Sequence, residues 1–349
     1  MTIHTTVTPK VPKGFELYTT GLFCLQDKTS RTPPFRGRGW IIGVRSRSMT
    51  GTNADAIDRF GKELGFPLPN PGLEKHGNGD VTVTIAPELV VYAKSPEAAQ
   101  RAADLLFCGV LLFSGAMRFL DGIQAHRDTD DSPQALSNRY TLLAPGLRTA
   151  AALAAKLSQR RSWQYAAIKY WLSHRLCSPE PMDFHPESGL HLGVTKDSFG
   201  HAIFAHAITS AYGTLEELGL EVRASAKNPS VLKDGSLNPV VTGDLEARLR
   251  QAHINLSEEE TWLVRGPRTR IETKRPVKGI GKPSWAGGPL RDRYVPVAEA
   301  ILRASWLRSG VSAHTTKPLT RSLSETEVHN VQMLARRVLL ERVGFWRSF

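Results

Sequence analysis

Near Leu147 the chain changes its periodicity, and that change constrains its fold more than any single motif. Before it, "ELYTTGLFCL" (16–25), "GWIIGVRSR" (39–47) and "VTVTIAPELVVYAK" (81–94) are rich in β-branched and aromatic residues and are bounded by Gly and Pro, as strands are. After it, "LRTAAALAAKLSQRRSWQYAAIKYWLSHRL" repeats its apolar residues at helical spacing. The expected fold is α+β: a mixed α/β domain over residues 1–145, then an all-α helical bundle over 146–349. A length of 349 residues suits about two hydrophobic cores.

Within the first part, "SPEAAQRAADLLFCGVLLFSGAMRFL" reads as a helix. Ser95 is its N-cap, Pro96 its first residue, and Glu97 lies in the first turn. Its apolar run Leu105–Met117 is short for a membrane span and reads as a buried core helix. The polar tract "HRDTDDSPQALS" (126–137) suits a linker or exposed loop.

In the second part, Leu147, Ala151, Ala154 and Leu157 form one apolar stripe, resumed after 158–162 by Tyr165, Ile168 and Leu172. A second helix carries Ile208, Tyr212 and Leu215 on one face and stops at Gly219. Residues 225–292 read as an irregular basic insertion, interrupted by a short helix, "GDLEARLRQA", capped by Asp244. A third long helix covers roughly Tyr294 to Arg308. The last begins at Ser324, where Ser324 and Glu327 form a capping box, with Val331, Leu334, Val338 and Phe345 on one side.

Charge narrows the choice of partners. The net charge is +12, and residues 251–349 hold 17 Lys/Arg against 9 Asp/Glu. A basic C-terminal third favours a polyanion, most commonly nucleic acid. The N-terminus lacks the layout of a signal peptide, and three widely spaced cysteines close no metal or redox motif, so a cytoplasmic, membrane-free protein is expected. His185, His191, His201 and His206 match no zinc spacing. No Walker sequence, dinucleotide fingerprint or nucleophile elbow is present, so no cofactor or metal is expected.

The sharpest chemical feature is "ILRASWLRSGVSAHTTKPL" (301–319). Val297, Ile301, Ala304 and Arg308 fall at spacings of four, three and four, which places Arg308 on the inward stripe. A guanidinium there needs an anion, and its shape suits phosphate. On an unbroken helix His314 would lie about 120° around and about 9 Å along from Arg308. Gly310 can loosen the last turn and Pro318 stops the helix, which lets His314 turn back. An Arg/His pair suits metal-free RNA cleavage. Histidine moves the proton of the 2′-hydroxyl or of the leaving oxygen, and arginine stabilises the extra charge of the transition state. A helix-end arginine on a carbonyl and a loop histidine would be the structural alternative.

Arg308-Ser309-Gly310-Val311-Ser312-Ala313-His314 resembles the R-x(4–6)-H motif of the HEPN superfamily, and it stands near the end of the third main helix, as in that family. "AYGTLEELGLEVRASAKNPS", "DLEARLRQAHINL" and "NVQMLARRVLLERVGFW" also read like bacterial HEPN-like proteins, so the resemblance covers about residues 160–349. It implies a homodimer whose two Arg308/His314 pairs share one cleft and cut RNA without metal. It also implies an acidic residue on another helix that orients the site, for which Glu216 and Glu217 are equal candidates. Ser309 departs from the Asn, Asp or His that many active members carry there, although its hydroxyl could donate a hydrogen bond. Such ribonucleases often serve as toxins or in antiviral defence.

"RGPRTRIETKRPVKGIGK" (265–282) gathers Arg265, Arg268, Arg270, Lys274 and Arg275 near Trp262 and Trp285, which suits single-stranded nucleic acid as well as a solvated loop. Arg336 and Arg337 would contact phosphate if they border the cleft, and are surface charge otherwise. Two functions result: an endoribonuclease with RNA as substrate, its N-terminal domain a sensor, regulator or partner-docking surface, or a non-catalytic, dimerising scaffold of a larger complex.

Overall fold

The computed structural model describes residues 2–24, 34–51, 72–77, 79–115, 125–127, 142–144, 146–178, 198–233, 236–265, 290–309, 323 and 325–346. The chain divides into two compact units: Met1–Phe113 with Asp121–Gln159, and Ser114–Leu120 with Arg160–Phe349. The division after Gln159 falls inside the helical stretch, beyond the compositional change near 145.

The first unit is an eight-stranded sheet with helices. Strands β1 (Thr2–Thr8), β2 (Glu16–Cys24), β3 (Phe35–Gly37), β4 (Trp40–Gly51), β5 (Gly72–Lys75), β6 (Val81–Ala93), β7 (His126–Arg127) and β8 (Leu142–Ala144) are ordered β1-β4-β6-β2-β7. β3 pairs with β4, β5 with β6, and β8 runs parallel to β2. The three strands expected from β-branched and aromatic runs are thus its central members. Their inward residues, among them Ile42, Leu89, Val91 and Tyr18, are buried.

Helix α1 (Pro96–Ser114) starts as its sequence indicates, with Ser95 Oγ accepting from the Ala98 amide at 3.3 Å. It buries Leu105, Leu106, Phe107, Leu111 and Leu112, so the long apolar run serves a core. A side chain on Gly109 would come within 2.4 Å of the Ala150 carbonyl; only hydrogen there lets α1 touch α2 (Leu147–Leu157).

One ion pair lies inside the sheet. Arg45 on β4 and Glu88 on β6 are register partners, nearly fully buried, with Nη2 to Oε2 at 2.7 Å. Thr19 donates its hydroxyl to Glu88, and the Gly21 amide donates at 3.3 Å. Register shifts between Thr19 and Leu22 and between Arg45 and Arg47 flank this cluster. Bulges re-aim groups in this way so that several donors meet one carboxylate.

The second unit packs α3 (Arg161–Leu176), α4 (Ser198–Glu217), α6 (Val297–Leu307) and α7 (Glu325–Val343), with α5 (Pro239–Gln251) against α6. Hydroxyls lock the closest helices together: Ser173 to the Ala207 carbonyl at 2.7 Å and Thr214 to the Ala166 carbonyl at 3.1 Å. α5 begins earlier than its sequence suggested. Asn238 caps it by accepting from the Val240 amide, Pro239 takes the first turn, and Asp244 lies inside the helix in an ion pair with Arg248. α6 begins at Val297 because Tyr294–Pro296 belong to a strand. Ser324 of the expected capping box lies outside the described residues.

The second unit is not all-α. β9 (Glu259–Arg265), inside the stretch read as irregular, pairs antiparallel with β10 (Leu290–Pro296), which runs from the end of that stretch into the expected start of the third helix; Trp262 is fully buried. α7 holds the pair. Asn330 accepts from the Leu263 amide at 2.8 Å and donates to the Leu263 carbonyl at 2.9 Å, which satisfies the open edge of β9. No helix among the described residues is long and apolar enough to cross a membrane.

Candidate functional site

Val297, Ile301 and Ala304 are fully buried, as the α6 stripe requires, but Arg308 is not carried inward with them. It is the C-cap of α6, and its side chain keeps 40% of its surface. Its Nη2 lies 3.0 Å from Glu216 Oε1, so of the two acidic candidates it is Glu216 that meets the arginine. Glu217 instead pairs with Lys169 of α3 at 2.7 Å. The guanidinium also lies 5.9 Å from the ring centre of Tyr212, one turn before Glu216 on α4.

Tyr212 is the support that periodicity hid, since its place on the apolar stripe of α4 reads as core. Its body is buried, while its hydroxyl accepts from the Val222 amide at 2.8 Å. Burial is the main cause that pushes its phenol above the usual range. Tyr212 and Glu216 stand at i and i+4 on one helix, the single sequence signal that could have paired them.

Ser309 spends its hydroxyl on its own helix, donating to the Ser305 carbonyl at 2.7 Å. His314 lies outside the described residues, as do Arg268, Arg270, Lys274 and Arg275. Arg265 is the last residue of β9.

Of the two arginines of α7, Arg337 is neither surface charge nor placed to meet phosphate. Arg337 is 2% exposed, and its Nη1 donates at 3.0 Å both to the Glu260 carboxylate and to the Glu259 carbonyl. Its Nη2 donates to the Glu258 carbonyl at 3.2 Å. Burial pushes Glu260 up despite this partner. Arg337 therefore fastens the β9 turn to α7. Arg336 is half-buried, with burial lowering its guanidinium, and it stands within contact distance of Gly115.

Sequence reasoning also missed a buried polar group between α3 and α7. Gln332 donates to Ser173 Oγ at 2.9 Å and to the Cys177 carbonyl at 2.7 Å. Beside it the Tyr170 and His174 rings pack edge-on with centres 4.7 Å apart. Tyr170 Oη and His174 Nε2 have no hydrogen-bond partner among the described residues. Burial first, then the charges of His329 and Arg336, lowers His174 to about 3; burial lowers His329 to about 4. Both imidazoles are therefore neutral near pH 7.

Among the described residues no group of three His, Cys, Asp or Glu could hold a metal ion. Comparison of the chain with protein-family models, with curated proteins and with solved structures finds no match.

Proposed function

We propose that the second unit is a HEPN-type, metal-independent endoribonuclease that works through Arg308 and His314 at a homodimer cleft. The observation that supports this reading is the anchoring of Arg308. It stands solvent-accessible at a helix end, steadied by Glu216 and by the Tyr212 ring, rather than dissolved in the core. An arginine so held can meet a phosphodiester with little loss of side-chain freedom.

The chemistry assigns one role to each residue. His314 takes the proton of the 2′-hydroxyl, whose oxygen attacks the adjacent phosphorus. Arg308 stabilises the added negative charge, and the 5′-oxygen leaves with a proton from an imidazolium, that of the second copy in the dimer. The products are a 2′,3′-cyclic phosphate and a 5′-hydroxyl. Glu216 positions Arg308. A role in antiviral defence or as a toxin follows only by analogy with the family it resembles.

The second reading, a non-catalytic dimerising scaffold, draws support from the same ion pair, because Glu216 already neutralises the arginine. One assay separates them. Single-stranded RNA of mixed sequence is incubated with the full chain in EDTA, beside His314→Ala and Arg308→Ala. Ribonuclease activity requires cyclic phosphate ends and a loss of about 10²-fold or more in each variant. Absent cleavage, or cleavage that both variants retain, gives the domain to the scaffold reading.

A further inference from the structure

The resumed stripe Tyr165, Ile168 and Leu172 lies on α3 as its spacing indicates, but it points outward. The inward face is instead Trp163, Ala166, Ala167, Tyr170, Ser173 and His174. Tyr165, Ile168, Leu172 and Leu176 are each between 37% and 43% exposed. Single exposed hydrophobic residues are ordinary on a protein surface, but four at spacings of three, four and four form a line about 16 Å long on one helix.

The charges that α3 itself places along this line have one sign. α3 contains no carboxylate between Arg161 and Leu176, and Arg161, Lys169 and Arg175 flank or end the stripe. Lys169 is answered by Glu217. Arg161 lies 5.3 Å from the centre of the Tyr165 ring, and Arg175 lies 5.8 Å from that of Trp171. Neither takes part in an ion pair among the described residues.

Three occupants can be compared. A second copy of α3 would set arginine against arginine in either orientation, and the carboxylate that borders the face, Glu217, is already engaged by Lys169. Single-stranded RNA would find cations and one exposed ring, Tyr165, but the three aliphatic residues that make up the rest of the stripe, Ile168, Leu172 and Leu176, offer bases nothing to stack on. An amphipathic helix with apolar residues at i, i+3, i+4 and i+7 and acidic flanks matches both the stripe and the charge. We propose that the outer face of α3 docks such an acidic amphipathic helix from a partner protein. The site does not depend on catalysis by Arg308. It does lie next to it, because Lys169 crosses α4 at Gly213, where a side chain would come within 2.9 Å of Lys169 Cδ, and reaches Glu217 beside Glu216. A carboxylate-rich helix there would compete with an anionic substrate for the same field.

The test uses the full chain and two labelled synthetic helical peptides that share an apolar face of Leu and Ile. One carries Glu on its flanks and the other Lys. Fluorescence anisotropy should show the Glu peptide binding at least about tenfold more tightly. Leu172→Asp, at an exposed position, should remove that binding while the circular dichroism spectrum stays unchanged. Arg161→Glu with Arg175→Glu should transfer the preference to the Lys peptide. Equal binding of both peptides, binding of neither, or binding indifferent to Leu172→Asp overturns the proposal. A dimer in sedimentation that Leu172→Asp dissolves also overturns it and gives the face to another copy of the chain. RNA cleavage in EDTA, measured on the same preparations, reports separately on Arg308 and His314.

Discussion

Arg45 and Arg337 are each buried with a carboxylate, yet their surroundings differ. Arg45 pairs with Glu88 across the sheet, and Arg337 satisfies backbone carbonyls of the β9 turn as well as its carboxylate. Removing one partner of such a pair leaves a buried charge and costs about 3–5 kcal/mol. Arg45→Met should lower the unfolding free energy by that order in urea titration. Arg45→Met with Glu88→Leu should recover only part of it: no charge is then stranded, but the Thr19 hydroxyl and the Gly21 amide lose their acceptor. Arg337→Met with Glu260→Leu should likewise recover only part, because the carbonyls of Glu258 and Glu259 still lose their donor. His174 and His329 make a second residue-scale case. Their folded values lie below the ordinary value near 6.5, so the unfolded chain binds protons that the folded one refuses. Their contribution is complete above about pH 7 and is lost as pH falls from 6.5 towards 4, by about 1.4 kcal/mol per pH unit for each histidine. Urea titrations between pH 6.5 and 5 should show this slope, reduced by about half in His329→Gln.

Elements differ in how plainly the sequence shows them. β2, β4, β6 and α1 were legible because each carries its own signal: β-branched runs bounded by Gly and Pro, or a cap followed by a proline. β9 was not, since Glu259 and Glu260 begin it and a basic, Gly- and Pro-containing stretch separates it from β10. Its acidic start makes sense only beside Arg337, 77 residues away in sequence from Glu260. The stripe on α3 was legible as a pattern but not as a direction. Periodicity says that one side differs from the other, and which side meets the core depends on small residues such as Ala166 and Ala167 that let α4 approach. For the candidate site, the sequence placed Arg308 on the α6 stripe but could not choose between Glu216 and Glu217, a matter of which helix each carboxylate faces. The Asn330 clamp yields a test at this scale. Asn330→Leu strips both polar groups of Leu263 of their partner and should cost about 2–3 kcal/mol. The Leu263 amide should lose its hydrogen-exchange protection before those of α4 do.

At the scale of the whole molecule, the basic third and the division into units set the expectations. On the proposed reading, affinity for single-stranded RNA should fall by about tenfold or more between roughly 50 and 200 mM salt, and filter binding would show it. Stability should also depend on how the chain is cut. The second unit takes in Ser114–Leu120, and Gly115 of that segment stands against Arg336. A fragment of residues 160–349 should therefore melt a few degrees below the same unit in the full chain, as calorimetry would register. The backbone passes from one unit to the other three times, after Phe113, Leu120 and Gln159. A domain joined by one peptide can be gained, lost or exchanged in a single recombination event. Two units stitched at three points cannot be shuffled as cassettes, so in descent they should travel together, and a lineage that discards one half should have to rebuild the other.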